Sequence, residues 1–232
     1  MKTALITGGT KGIGYGVAEA LLKEGYNVAI TGRDEKVGKA AVASLQKTAS
    51  AKVLFIQCDV REFQQQQNAV NKVVSEWGRL DVLVANAGVG HFAPIDELSV
   101  EKWKETIDIN LTGVFYSIKA SLDALKKSKG YIITMSSLAG TNFFAGASAY
   151  NASKFGLTGF TQAAMLDLRK HGIKVTTIMP GSVATEFNDH KPGPEDEWKI
   201  QIEDLGQIVV DLLKMHPRTL PSKVEVRPST PK

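Results

Sequence analysis

The chain has 232 residues, 43% hydrophobic and 22% charged, which excludes a disordered or fibrous protein. A single cysteine, Cys58, excludes an internal disulfide and a cysteine-based zinc cluster, and it fits a reducing cytoplasmic setting. The net charge of +4 is spread over single residues and pairs such as Lys126-Lys127, so no basic face for nucleic acid is expected.

Short apolar runs alternate with longer amphipathic stretches. Residues 3–7 read as a first strand, and 12–24 as a helix with Val17, Ala20 and Leu21 on one side. The first apolar run ends at once in Thr7-Gly8-Gly9, so it is not read as a signal peptide. A second strand covers 27–31, and Asp34 caps a second helix carrying Val37, Ala41 and Leu45 at helical spacing. A third strand at 52–58 precedes a helix within 60–77, and a fourth strand covers 80–85. Residues 100–125 read as helical with a break near Thr112-Gly113. Strands at 131–135, 175–179 and 223–226 complete seven, separated by helices at about 150–171 and 202–216. Residues 130–153 carry no charge and are long enough to span a bilayer. Thr134, Ser136, Ser137, Thr141, Asn142 and Ser148 interrupt them, so no membrane span is expected.

This alternation predicts an α/β fold: parallel strands joined by crossover helices, doubly wound, with helices on both faces of the sheet. One domain is expected over 1–232. Residues 186–201 contain Pro192-Gly193-Pro194 and mixed charges, and read as a substrate loop or lid within it.

Two ends of the chain carry chemistry. After the first strand comes Thr7-Gly8-Gly9-Thr10-Lys11-Gly12-Ile13-Gly14. Such glycines let the backbone approach a pyrophosphate, and the following helix points its free N–H groups and positive dipole end at the anion. The second strand ends at Thr31-Gly32-Arg33, without the acid that binds a ribose 2′-hydroxyl. Lys11 and Arg33 can instead hold a 2′-phosphate, which favours NADP(H) over NAD(H). Asp34, next in line, is explained as a helix cap. Further on, Tyr150 and Lys154 stand four residues apart on one helix face. A phenol is a poor base near pH 7, and a neighbouring ammonium lowers its pKa toward use in proton transfer. Ser137 ends a strand beside the same crevice. His91, His171, His190 and His216 are scattered without metal-ligand spacing, so no metal site is expected. His91 and Phe92 are expected at the substrate mouth, and Phe143 and Phe144 in its wall.

With these motifs the chain resembles the short-chain dehydrogenases/reductases over almost its whole length. The family's glycine turn matches residues 7–14, its Asp-Val matches Asp59-Val60, and its Asn-Ala-Gly matches Asn86-Ala87-Gly88. Its catalytic Asn matches Asn110, its serine–tyrosine spacing matches Ser137 and Tyr150, and its PGxVxT segment matches residues 180–185. The resemblance implies a Rossmann fold and an NADP(H)-dependent enzyme, with NAD(H) the lesser alternative. The reaction implied is hydride transfer between the nicotinamide and a small-molecule carbonyl or secondary alcohol.

It also implies roles. Tyr150 would be the proton donor, Ser137 would hold the carbonyl oxygen, and Lys154 would depress the Tyr150 pKa and grip the nicotinamide ribose. Asn110 would hold a water relaying protons to Lys154. Gly8, Thr10, Lys11, Gly12, Ile13, Gly14 and Arg33 would bind the phosphates. Asp59, Val60, Asn86, Ala87 and Gly88 would line the adenosine side, and Pro180, Gly181, Val183 and Thr185 the nicotinamide. Ketone or 3-oxoacyl reduction is the first reading. A sepiapterin- or pterin-type carbonyl reductase and a non-catalytic nucleotide-sensing regulator are the alternatives. Relatives pair through long helices, so a homodimer or homotetramer is expected.

Overall fold

The computed structural model describes residues 1–230. Its centre is one sheet of seven parallel strands: β1 (Thr3–Thr7), β2 (Asn27–Gly32), β3 (Val53–Gln57), β4 (Val82–Ala85), β5 (Tyr131–Met135), β6 (Lys174–Pro180) and β7 (Lys223–Val226), in the order β3-β2-β1-β4-β5-β6-β7. Every residue of β1, β4 and β5 is buried, as a strand covered on both faces requires, and their sequences run apolar without alternation. The edge strand β7 instead alternates exposed and half-buried residues. β1 pairs with β2 on one side and β4 on the other, so the connections diverge there and open a crevice at the strand C-termini.

Seven α-helices pack around the sheet: α1 (Gly12–Lys23), α2 (Glu35–Leu45), α3 (Phe63–Trp77), α4 (Val100–Ile107), α5 (Gly113–Ser128), α6 (Ser148–Leu168) and α7 (Ile202–Lys214). Asp34 caps α2, accepting the Val37 N–H at 2.9 Å. Two apolar clusters lie on the two faces of the sheet. One joins Val17, Leu21, Val28, Ile133 and Val209, and the other joins Leu83, Val73, Ile118, Ile132 and Leu157. α1 and α7 meet backbone to backbone: a Cβ at Gly16 would stand 2.5 Å from the Ile202 carbonyl oxygen, and one at Gly206 would stand 2.8 Å from that of Gly16.

The break expected near Thr112-Gly113 is a π-helical turn, Asp108–Thr112, inserted between α4 and α5. Such turns add one residue to the ladder and rotate the side chains within it. The rotation carries Asn110 inward, where it is fully buried.

Candidate active site

The strand C-termini, the glycine turn and the 186–201 loop enclose a cleft of about 990 Å³. That is the upper range of a ligand pocket. At one end stands the β1–α1 turn. Gly8 and Gly12 have φ of 64° and 56°, the left-handed region that glycine enters freely. A Cβ at Gly8 would also come within 2.9 Å of Ala87 Cα, so the turn packs directly on the segment after β4. Asn86 fastens that contact. Its amide donates to the carbonyls of Thr7 (3.0 Å) and Gly8 (3.1 Å), and its backbone N–H donates to Thr7 Oγ1 (3.0 Å).

Lys11 and Arg33 line the same end of the cleft and are exposed. Asp59 lies beside them. Arg61 holds it at 2.5 Å, and this hydrogen-bonded pairing keeps the carboxyl below the usual carboxylate range. Thr31 lines the cleft too, and its buried hydroxyl has no partner among the described residues. A bare glycine turn, two cations without a salt-bridge partner among the described residues and an orphaned hydroxyl form a donor set that fits a dinucleotide phosphate and ribose.

At the other end, Ser137 follows β5 and opens a 3₁₀ turn, where its Oγ accepts the Ala139 N–H at 3.1 Å. Tyr150 and Lys154 stand on the first turns of α6. The Lys154 amine lies 5.7 Å from the centroid of the Tyr150 ring and donates to the Met135 carbonyl at 2.9 Å. Burial in the cleft lowers the Lys154 pKa from 10.5 to about 8. The same desolvation raises the Tyr150 pKa, and the hydrogen bond to Ser137 opposes that rise. The expected depression of the phenol by Lys154 is therefore not met in this geometry: burial outweighs the available stabilisation. Ser136, the neighbour of Ser137, turns its hydroxyl away to Thr158 Oγ1 (2.9 Å) and the Lys154 carbonyl (3.3 Å). A phenol, a hydroxyl and an ammonium converging on one cleft wall can hold an oxygen atom and exchange a proton with it.

The family model described as "short chain dehydrogenase" matches residues 2–195. The chain belongs to the short-chain dehydrogenase family. The family is one of oxidoreductases. This member is 38% identical over 216 residues to the human 15-hydroxyprostaglandin dehydrogenase [NAD(+)], a match covering 88% of this chain and 78% of that one. It is 36% identical over 202 residues to a Staphylococcus aureus 3-oxoacyl-[acyl-carrier-protein] reductase, with 87% and 81% covered. Among solved structures it is similar to the alcohol dehydrogenase of the archaeon Thermococcus sibiricus, complexed with 5-hydroxy-NADP. The TM-score is 0.93 at 28% identity, covering 100% of this chain and 99% of that one.

The short-chain dehydrogenase cleft collects nearly all the residues expected from sequence: Gly8, Thr10, Lys11, Gly12, Ile13, Arg33, Asp59, Val60, Asn86, Ala87, Gly88, Ser137, Tyr150, Lys154, Pro180, Gly181, Val183 and Thr185. Two stand behind its wall. Gly14 is a packing glycine, since a Cβ there would meet Asn86 Nδ2 and the Gly8 carbonyl at 2.5 Å. Asn110 braces the segment after β4: its amide donates to the Val89 carbonyl (2.8 Å) and Ser153 Oγ (3.0 Å), and its oxygen accepts the Val89 N–H (2.8 Å). Both of its side-chain N–H donors are thus taken by protein. Phe92 and Phe144 line the cleft, but His91 pairs with Glu105 (2.9 Å) and Phe143 is 85% exposed.

Sequence reasoning missed Phe187, Trp198, Lys199, Arg227 and Pro228, which also line the cleft. The 186–201 loop brings three of them there, and the chain after β7 brings the other two. Only the loop position of Phe187, Trp198 and Lys199 was a sequence signal.

Proposed function

We propose that this short-chain dehydrogenase is one domain that interconverts a small-molecule ketone, 3-oxoacyl groups included, and the corresponding secondary alcohol, using a nicotinamide dinucleotide. The observation that carries the reading is the convergence of Ser137, Tyr150 and Lys154 on the cleft whose other end is the positive-φ glycine turn. When bound, the nicotinamide supplies or receives the hydride. Tyr150 gives its phenolic proton to the carbonyl oxygen during reduction and takes a proton from the alcohol in reverse. Ser137 Oγ donates to the same oxygen as negative charge develops on it. Lys154, with a pKa of about 8, is mostly an ammonium at neutral pH. Its amine, 5.7 Å from the centroid of the Tyr150 ring, is placed to donate to ribose hydroxyls. Asn110 holds Gly88 and Val89 in place behind Lys154.

NADP(H) is proposed over NAD(H). Lys11 and Arg33 both line the adenosine end, Gly32 offers no acid, and the charge of Asp59 is taken up by Arg61. The relatives point both ways, one being named for NAD(+) and one bound to a modified NADP. Exposed apolar side chains on α4, α5 and α6 (Val100, Trp103, Phe115, Phe155 and Leu166) support a homodimer or homotetramer. Light scattering at micromolar concentration tests that; a monomer contradicts it.

The decisive test is Tyr150→Phe. Removal of the phenolic proton is expected to lower nicotinamide-linked turnover by about 10³-fold. Nucleotide affinity should stay within a few-fold. Turnover near the parent level refutes the proposal. For the cofactor, Arg33→Ala combined with Lys11→Ala is expected to weaken NADPH binding about tenfold or more, with NADH unaffected. Equal losses for both nucleotides refute the preference.

A further inference from the structure

The catalytic phenol is crowded by aromatic rings. Phe92 meets Tyr150 edge-on with 5.3 Å between centroids, Phe187 lies 5.8 Å from it on another side, and Phe144 is 6.0 Å from Phe92. The rings come from three separate segments: the one after β4, the one between β5 and α6, and the 186–201 loop. All three line the cleft.

The arrangement is built. The Ala93 N–H donates to the Gly146 carbonyl at 2.8 Å and ties the first two segments together. Gly90 leaves the space in which two rings meet: a Cβ there would stand 2.6 Å from the Phe187 ring and 2.9 Å from that of Phe92. The third segment is braced by Asp196, which is 3% exposed and accepts from His190 Nε2 (2.5 Å), Lys199 Nζ (2.6 Å) and the Gly193 N–H (3.1 Å).

The three rings remain between 39% and 52% exposed, so each keeps apolar surface facing the cleft. Nearby polar groups are occupied elsewhere, His190 and Lys199 on Asp196 and Arg227 on Glu225. Glu186 also lines the cleft. Half-exposed rings gain by covering hydrocarbon faces and lose by stripping water from polar atoms.

We propose that Phe92, Phe144 and Phe187, spaced by Gly90, form the recognition wall for an apolar ring. The substrate is then a ketone or secondary alcohol whose reacting carbon belongs to, or adjoins, a hydrocarbon ring, in preference to a polar or extended acyl chain. This rests on the redox reading above. In reduction the carbonyl carbon gains the hydride from the reduced nicotinamide, which is oxidised, and the oxygen gains the Tyr150 proton.

The test uses two ketones of one shape, cyclohexanone and tetrahydropyran-4-one, with acetoacetyl thioester as the extended competitor. The unmodified protein is expected to reduce cyclohexanone with a kcat/KM about tenfold above the ether and above the thioester. Phe187→Ala is expected to bring the cyclohexanone-to-ether ratio near one, mainly through KM. Gly90→Ala, by pushing the Phe187 ring aside, is expected to do the same, and the double variant to be no worse than Phe187→Ala alone. A ratio indifferent to both substitutions, or fully additive losses, overturns the recognition wall. So does Tyr150-dependent turnover of the thioester with neither ring ketone reduced, which leaves the proposed reaction standing. Absence of Tyr150-dependent turnover for every carbonyl overturns both.

Discussion

Lys154 shows how one residue couples stability to the site. Its ammonium is buried with a single acceptor among the described residues, the Met135 carbonyl, and its pKa falls from 10.5 to about 8. Between those values the unfolded chain binds more protons than the folded one, so stability rises with pH across that window. Below pH 8 the folded protein carries the full penalty, on the order of 3 kcal/mol at about 1.4 kcal/mol per pH unit. Lys154→Met removes the charge and also the hydrogen bond to Met135, worth about 1 kcal/mol. A net gain of about 1–2 kcal/mol at pH 7, or a few degrees in Tm, is expected. That gain should shrink toward pH 10 in melts without added nucleotide, and an equal gain at both pH values contradicts the burial argument. Ser137, Tyr150 and Lys154 were legible because their spacing is local: a fixed offset on one helix, and a strand end. The orphaned Thr31 hydroxyl and the packing role of Gly14 were not, because both depend on which distant segments lie against them.

At the scale of elements, the π turn and the 186–201 loop carry the geometry that sequence only hinted at. The helical pattern over 100–125 showed a break but not its purpose, since one extra residue in a turn leaves no compositional mark. Asn110→Ala would leave the Val89 N–H and carbonyl unpartnered, which is expected to cost about 2–4 kcal/mol in denaturant melts. A loss under 0.5 kcal/mol would mean the turn has another support. In the loop, Asp196 is held to about 2 by Lys199 first and His190 next. A lowered carboxyl contributes its stabilisation above its unfolded value near 4 and loses it as pH falls through about 2. Asp196→Asn is therefore expected to loosen the loop at neutral pH. A glutamate-specific protease should cleave after Glu197 several-fold faster, with little change in global Tm. The Pro192-Gly193-Pro194 run marked a loop in the sequence but not this internal carboxylate brace, whose partners are six and three residues away.

For the whole molecule, the strands were readable because parallel strands covered on both faces run apolar, whereas the order β3-β2-β1-β4-β5-β6-β7 is a matter of long-range pairing that no local pattern records. The order matters because it sets the cleft between β1 and β4. Among the described residues no helix is long and apolar enough to cross a membrane. A nucleotide bound in this cleft stabilises the folded state by mass action: at 100 times its Kd the gain is about 2.7 kcal/mol. For a domain of this size that corresponds to a Tm rise of about 5–10 °C. NADPH is expected to reach that shift at lower concentration than NADH in a thermal-shift titration, and the reverse order would count against the assigned cation pair.

The 186–201 loop is sewn shut at its base. The Ala184 N–H meets the Ile200 carbonyl at 2.9 Å, and the Ile200 N–H meets that of Ser182 at 3.1 Å. Immediately beyond, α7 is seated on α1 at Gly16 and Gly206 with no side chain between the backbones. Whatever happens inside the loop is thus insulated from the helix that follows the glycine turn. Exchanges between positions 186 and 199 that keep the Asp196 brace and the Phe187 ring beside Tyr150 are expected to retune which molecules enter the cleft. The segment is where divergence among relatives would accumulate, and where an engineer would begin.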